Sequence, residues 1–249
     1  MDNREECWFY GNTTIIKLNF ENSIDELYKY GCFIFTINLI FTDNNNFNYD
    51  NNKYNTVSMF NSNVDNLPKN IKIIRFGYYF NQLVNNLPHM LKQLTFGRCF
   101  NQQVDNLPST LTQLIFDYNF NHEVDNLPCL LTHLTFGYKF NQLVYNLPQS
   151  LIHLTFGHEF NQPLNYLPQN LIHILFEKDY NSPYYSPCCN FNHNLDSLPE
   201  TIENIQLPVN YALVIKKFPS NLTTISCSKY KYKKQLKNIL LNKCKIIYY

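Results

Sequence analysis

The 249-residue chain contains no uninterrupted apolar stretch approaching the roughly 18 residues needed to cross a bilayer, so no membrane span is expected. Its opening, MDNREECWFY, lacks the basic region and apolar run of a secretory signal, and a soluble, intracellular, cytoplasmic chain is the expectation. Charge is scarce as well. Charged residues make up 16% of the chain and the net charge is +1, which removes any global attraction to nucleic acid or acidic membranes. The eight cysteines, Cys7, Cys32, Cys99, Cys129, Cys188, Cys189, Cys227 and Cys244, show no C-x-x-C spacing, so reduced thiols are expected rather than a disulfide framework. Bridging the adjacent Cys188 and Cys189 would strain the bond, so packing is the simpler reading of that pair.

Signatures of catalysis are missing too. There is no glycine-rich phosphate loop and no G-x-S-x-G elbow, and HEVDN (His122 to Asn126) lacks the second histidine of a zinc protease motif. Four of the six glycines, Gly77, Gly97, Gly137 and Gly157, recur at one spacing and read as turn residues after a phenylalanine. Neither an enzyme nor a cofactor is indicated.

What the chain does have is a hydrophobic fraction of 45%, ample for a core, arranged with a fixed period. At a spacing of 20 the sequence aligns Phe60, Phe80, Phe100, Phe120, Phe140, Phe160 and Tyr180, each followed by asparagine from Asn61 to Asn181. The same spacing aligns Leu-Pro pairs from Leu67-Pro68 to Leu167-Pro168, and Phe76, Phe96, Phe116, Phe136, Phe156 and Phe176. A period this short and regular is the mark of a solenoid. Leu151, Leu154 and Phe156 match the L-x-x-L-x-L core of a leucine-rich repeat, whose two-residue step is a strand signal. The expected fold is therefore a leucine-rich-repeat-like solenoid with one short parallel strand and an irregular return per 20-residue coil. A single coil buries too little to offset the ordering of its own backbone, so stability must come from the interfaces between coils.

Five segments follow from this spacing. Residues 1–59 form an N-terminal cap or degenerate repeats, with Ile15, Leu18, Phe20 and Ile34, Ile37, Leu39 as candidate core positions and an Asn-rich loop at Thr42 to Asn55. Regular repeats occupy 60–181. An inserted loop rich in Pro, Ser and Asn fills 182–194, and degenerate repeats resume over 195–228. Residues 229–249 form a basic cap, with helical spacing of Leu236, Ile239 and Leu240. Seven of the chain's lysines fall there and no acids, so the preceding residues carry a formal charge of −6.

The units LTFGYKFNQLVYNLPQS (Leu134 to Ser150) and LTFGHEFNQPLNYLPQN (Leu154 to Asn170) resemble the FNIP repeat, with leucine usually replacing isoleucine. The resemblance is close from Phe60 to Asn181 and traceable to Cys227. It implies an interaction solenoid of the kind found in social amoebae and in giant viruses of amoebae, where the setting would be the host cytoplasm. Some members carry an F-box before the repeats, which would make the chain a substrate-recognition subunit of a ubiquitin ligase. Here Trp8 to Phe41 lacks the Leu-Pro entry of that motif and reads as strand-forming.

In a solenoid, residues at one repeat position stack into columns, and columns are where chemistry would reside. The Phe-Asn asparagines read as a buried amide ladder. Asp105 and Asp125 read as turn or cap residues rather than as a calcium or glycosidase site. His133, His153 and His173 continue a column begun by Gln93 and Gln113 and read as exposed strand residues rather than zinc ligands, protonating near pH 6. Together with Thr95, Ile115, Thr135 and Thr155 they form the candidate protein-binding face. A second candidate is the loop around Tyr184, Tyr185 and Cys188. The favoured function is a non-catalytic protein-interaction scaffold with a protein partner. The alternatives are the ligase subunit and a basic-tail binder of nucleic acid or membrane.

Overall fold

The computed structural model describes residues 7–10, 12–16, 25, 38–41, 58–176, 189–228 and 244–248. Its strands are β1 (Cys7–Tyr10), β2 (Thr13–Ile16), β3 (Asn38–Phe41), β4 (Ile73–Arg75), β5 (Gln93–Thr95), β6 (Gln113–Ile115), β7 (His133–Thr135), β8 (His153–Phe156), β9 (His173–Phe176), β10 (Asn204–Gln206), β11 (Thr224–Cys227) and β12 (Lys245–Tyr248). They lie side by side in chain order in one sheet. β1 and β2 form an antiparallel hairpin. From β2 onward every pairing is parallel. The architecture is a parallel-strand, leucine-rich-repeat-like solenoid.

The strands are short because only a few positions per coil alternate. In β5 Leu94 is buried between half-buried Gln93 and Thr95, and β7 repeats this with Leu134 between His133 and Thr135. Just past the strand, the Phe96 N–H still donates to the carbonyl of Ile115 one coil on, and Phe136 to Thr155, both at 2.9 Å. Each return then ends in a tight turn in which the Pro carbonyl accepts from the Leu N–H three residues later, as in Pro108 to Leu111 at 3.0 Å. Proline suits that place because it has no N–H to leave unsatisfied.

Two columns of phenylalanine run through the core beside the aliphatic columns that contain Val104, Leu107, Leu111 and Leu114. Phe80, Phe100, Phe120, Phe140 and Phe160 stack at 6.0–6.2 Å between centroids. Phe76 to Phe176 form the second column at 5.5–6.0 Å. Within each regular coil the two rings lie face to face, 3.7 Å apart for Phe136 and Phe140. Flat rings fit here because successive coils are separated by one strand spacing, about 4.8 Å, and tilted parallel rings bridge that repeat.

The asparagine ladder forms, but on the surface. The Asn81, Asn101, Asn121, Asn141 and Asn161 N–H groups each donate to the side-chain oxygen of the asparagine one coil earlier at 2.8–2.9 Å. These asparagines are exposed or half-buried, which corrects the expectation of a buried ladder. The reason is that the ladder satisfies backbone N–H groups on a return that has no strand partner, so the oxygen sits outside the phenylalanine core. Gln142 and Gln162 reinforce it with side-chain donors to Asn121 and Asn141. A second, diagonal ladder joins Asn126 to Asp105 and Asn146 to Asp125, each amide nitrogen donating at 3.2 Å. The two aspartates thus link coils rather than cap a local turn.

The glycine column answers to crowding. A Cβ on Gly97 would lie 2.1 Å from the Gly77 carbonyl oxygen, and one on Gly157 would lie 2.0 Å from that of Gly137. Close approach of coils, rather than a turn conformation, selects glycine there. Asp117, at the same position one coil before Gly137, is exposed.

Two assignments differ from those expected, a register and a loop limit. In the N-terminal region Leu39 pairs with Ile74 and Thr14 with Leu39, so Leu39 and Phe41 occupy the core columns that the spacing gave to Ile37 and Leu39. A shift of two residues preserves which face is inward, so hydrophobic spacing alone does not distinguish the registers. After β9, Phe191 stacks on Phe160 at 6.0 Å and the Asn192 N–H donates to the Asn161 side chain. The columns therefore pass to Phe191 and Asn192, residues assigned above to the inserted loop, and 31 residues separate Asn161 from Asn192 where earlier steps take 20. The excursion lies between Phe176 and Cys189. At the far end β12 adds a strand beside β11, with Ile246 opposite Ile225. Leu236, Ile239 and Leu240, the Asn-rich segment 42–55, and Tyr184, Tyr185 and Cys188 lie outside the described residues.

Urea unfolding should rank three substitutions. Phe140→Ala removes a ring buried in the stack and should cost about 3–5 kcal/mol. Gly157→Ala should cost about 1–3 kcal/mol by forcing adjacent coils apart. Asn141→Ala leaves solvent to replace the lost acceptor and should cost about 1 kcal/mol.

Candidate protein-binding face

Strand alternation sends every second side chain of the sheet away from the core, and the parallel register turns those side chains into columns. Gln93, Gln113, His133, His153 and His173 are direct cross-strand partners in sequence. Thr95, Ile115, Thr135 and Thr155 form the companion column two residues on. All nine expected residues therefore lie on one continuous face. They are half-buried apart from Ile115, which is 41% exposed.

The imidazoles are stacked. His133 and His153 lie 4.2 Å apart at 14°, and His153 and His173 4.2 Å apart at 10°. Ring faces are hidden by this arrangement while ring edges look outward. The Thr132 hydroxyl donates its one proton to the Thr112 carbonyl, so at 2.9 Å from His133 Nδ1 it accepts, and His133 carries its proton on Nδ1. At the other end the Asn204 side-chain amide donates to His173 Nδ1 at 2.9 Å, which places the His173 proton on Nε2. Burial within the stack is the main cause that pushes the His153 pKa down to about 4, and the charges of His173 and then His133 add to it. His133 is lowered for the same reasons, burial first and His173 second. Protonation near pH 6 is thus corrected for both residues. Parallel stacked rings do not converge on one point, and among the described residues no group of three or more His, Cys, Asp or Glu side chains could hold a metal ion.

Sequence columns also contained features that the reading above passed over. Lys72 and Lys92 stand just before β4 and β5, and Arg75 ends β4, all exposed at the N-terminal end of this same face. At the corner after the strands, Arg98 lies 4.0 Å over the Tyr118 ring, Tyr118 stacks on Tyr138 at 4.5 Å and Tyr138 on His158 at 4.6 Å. On the return side, Tyr145 and Tyr166 meet edge to face where neighbouring coils have the diagonal Asn-Asp link. Each falls at a 20- or 21-residue offset, so extending the columns beyond the histidines would have found them. An open cleft of about 470 Å³ on the return side is lined by Asp105, His122, Glu123 and Asp125 among others. There Asp105, Asp125 and His122 already bond to neighbouring coils. Cys189 is buried, its thiol donating to the Gly157 carbonyl at 3.3 Å.

Parallel strands at a 20-residue pitch, each followed by a Phe-Asn corner and a Leu-Pro turn, define a leucine-rich-repeat-like solenoid. The FNIP repeat family model matches residues 60–99, 83–119, 100–139, 118–159 and 140–179, and the chain is an FNIP-repeat protein. Among solved structures, it is similar to the giant-virus protein CroV588, described as a novel circular LRR protein, with a TM-score of 0.72 and 32% identity. That similarity covers 91% of this chain and 32% of CroV588, so the chain spans about a third of that protein's length. No curated protein matched the chain.

Stability should fall on acidification through the histidine column. Because the folded pKa of His153 is near 4 against 6.5 for a free histidine, the unfolded chain takes up protons first. Full stability therefore holds above about pH 6.5 and drains away toward about pH 4. Urea midpoints across that range should drop for the parent chain and flatten for His133→Gln/His153→Gln/His173→Gln, glutamine being the residue this column already uses at Gln113. Glu200, pushed down to about 2 chiefly by its hydrogen bond from the Lys217 ammonium, starts to lose its contribution as pH falls through its ordinary 4.5, at the lower edge of that window, and does so equally in the parent and the variant.

Proposed function

We propose that the protein is a non-catalytic scaffold that binds another protein through the outward face of β5–β9, at Gln93, Thr95, Gln113, Ile115, His133, Thr135, His153, Thr155 and His173. The observation that carries this reading is a difference between the two sides of the solenoid. On the return side, the asparagine oxygens from Asn61 to Asn161 are committed to the next coil. On the strand face, the side chains of Gln93, Gln113, Thr95, Thr135 and Thr155 make no hydrogen bond among the described residues. Donors and acceptors held on a rigid sheet with nothing inside the molecule to satisfy are what a partner surface requires. The FNIP and leucine-rich-repeat likeness supports the same reading, since solenoids present extended surfaces of this kind.

Its test is co-purification from the native cell of the parent chain and of Gln113→Glu/His133→Glu/His153→Glu, with circular dichroism to confirm that both are folded. Proteins recovered with the parent and lost from the variant are the expected result. An unchanged set of partners would sink the strand-face assignment.

A further inference from the structure

The strand face is not uniform along the solenoid. Its N-terminal end carries Lys72, Arg75 and Lys92, all exposed, and their charged side-chain groups make no hydrogen bond or ion pair among the described residues. Lys72 and Lys92 occupy one column in adjacent coils, the Lys92 N–H donating to the Lys72 carbonyl at 2.7 Å. Like charges set side by side across a sheet destabilise it. Elsewhere in this molecule a lysine facing the neighbouring coil meets a carboxylate, as Lys217 meets Glu200 at 2.7 Å.

Among the described residues no such carboxylate pairs with these three cations. From Lys72 to Leu175, the residue before each strand and the two outward strand positions include no aspartate or glutamate. The acids of these coils stand elsewhere: Asp105, Glu123 and Asp125 on the return side, Asp117 and Glu159 at the corner. Among the described residues charge is therefore sorted by face, with a positive end on the sheet that no described carboxylate balances.

We propose that the N-terminal end of the strand face binds an extended acidic segment of a partner protein, with Lys72, Arg75 and Lys92 pairing its carboxylates and Gln93, Gln113 and Thr95 bonding its backbone. This rests on the strand face being the binding face and adds the chemistry of what it binds. A peptide fits better than single-stranded nucleic acid. The aromatic rings in these columns, the imidazoles of His133, His153 and His173, are already stacked on one another, and three cations make a short patch rather than a track along phosphates. Glutamine amides, which both donate and accept, match a peptide backbone.

The probe is a fluorescein-labelled peptide of alternating Glu and Ser, titrated with the full chain and followed by anisotropy, beside a Lys/Ser peptide and a labelled oligouridine. Saturable binding of the Glu/Ser peptide alone is expected, weakening as salt is raised. Lys72→Glu/Arg75→Glu/Lys92→Glu should weaken it at least about tenfold, and Lys72→Gln/Lys92→Gln less, whereas Lys139→Glu, a single such reversal off the face that changes the charge by as much as Lys72→Gln/Lys92→Gln does, should leave it unchanged. The proposal is overturned if the parent ignores the acidic peptide, if the triple reversal binds as well as the parent, or if oligouridine binds as tightly as the peptide. These failures are separable from failure of the scaffold reading. Partners lost from the Gln113/His133/His153 variant without any affinity for the acidic peptide would leave the strand face standing and remove only this charge assignment.

Discussion

The spacing between neighbouring coils is the constraint from which the rest of this structure follows. Parallel backbone bonding at the strands brings each coil to within one strand repeat of the next, and every other part of the coil must tolerate that approach. Where the chains come closest, a Cβ would collide with the preceding carbonyl, and glycine appears. In the core, flat rings stack in two columns beside columns of leucine and valine. On the return, where the backbone no longer pairs with itself, asparagine side chains supply the missing acceptors. Strand, glycine, phenylalanine and asparagine are four responses to one distance, which is why a rigid 20-residue count accompanies them.

That same distance governs the histidines. Three imidazoles in consecutive coils are pressed into a stack 4.2 Å apart. At His133 and His153 protonation is disfavoured because a charge would lose water and then meet a like neighbour. A residue type usually associated with titration near neutrality is at these two positions kept neutral chiefly by burial.

Much of this was legible in the sequence because a solenoid writes its contacts as a period. Phe140 stacks on Phe120 and Phe160 because they are 20 residues away, and the face from Gln93 to His173 could be assembled by counting. Counting failed where the count changed. Tyr180 keeps the spacing, yet the columns pass to Phe191, because eleven extra residues enter between Phe176 and Cys189 and composition does not mark where the coil resumes. In the N-terminal region, Leu39 took a core position two residues from the one assigned, since alternation is blind to an even shift. The asparagine ladder was anticipated but placed inside, because the period shows that residues stack without showing on which side of the ring columns they lie. Lys72, Arg75 and Lys92 do not stand out in a chain of net charge +1, and they come together only once the coils are stacked.

The division between committed return-side asparagines and uncommitted strand-face glutamines and threonines has a consequence for how such a protein can change over generations. Substitutions on the return are policed by folding, for they break links between coils. Substitutions at Gln93, Thr95, Gln113, Thr135 and Thr155 touch no side-chain hydrogen bond among the described residues, so this part of the outward surface can drift and be rewritten one coil at a time while the scaffold beneath it is inherited intact.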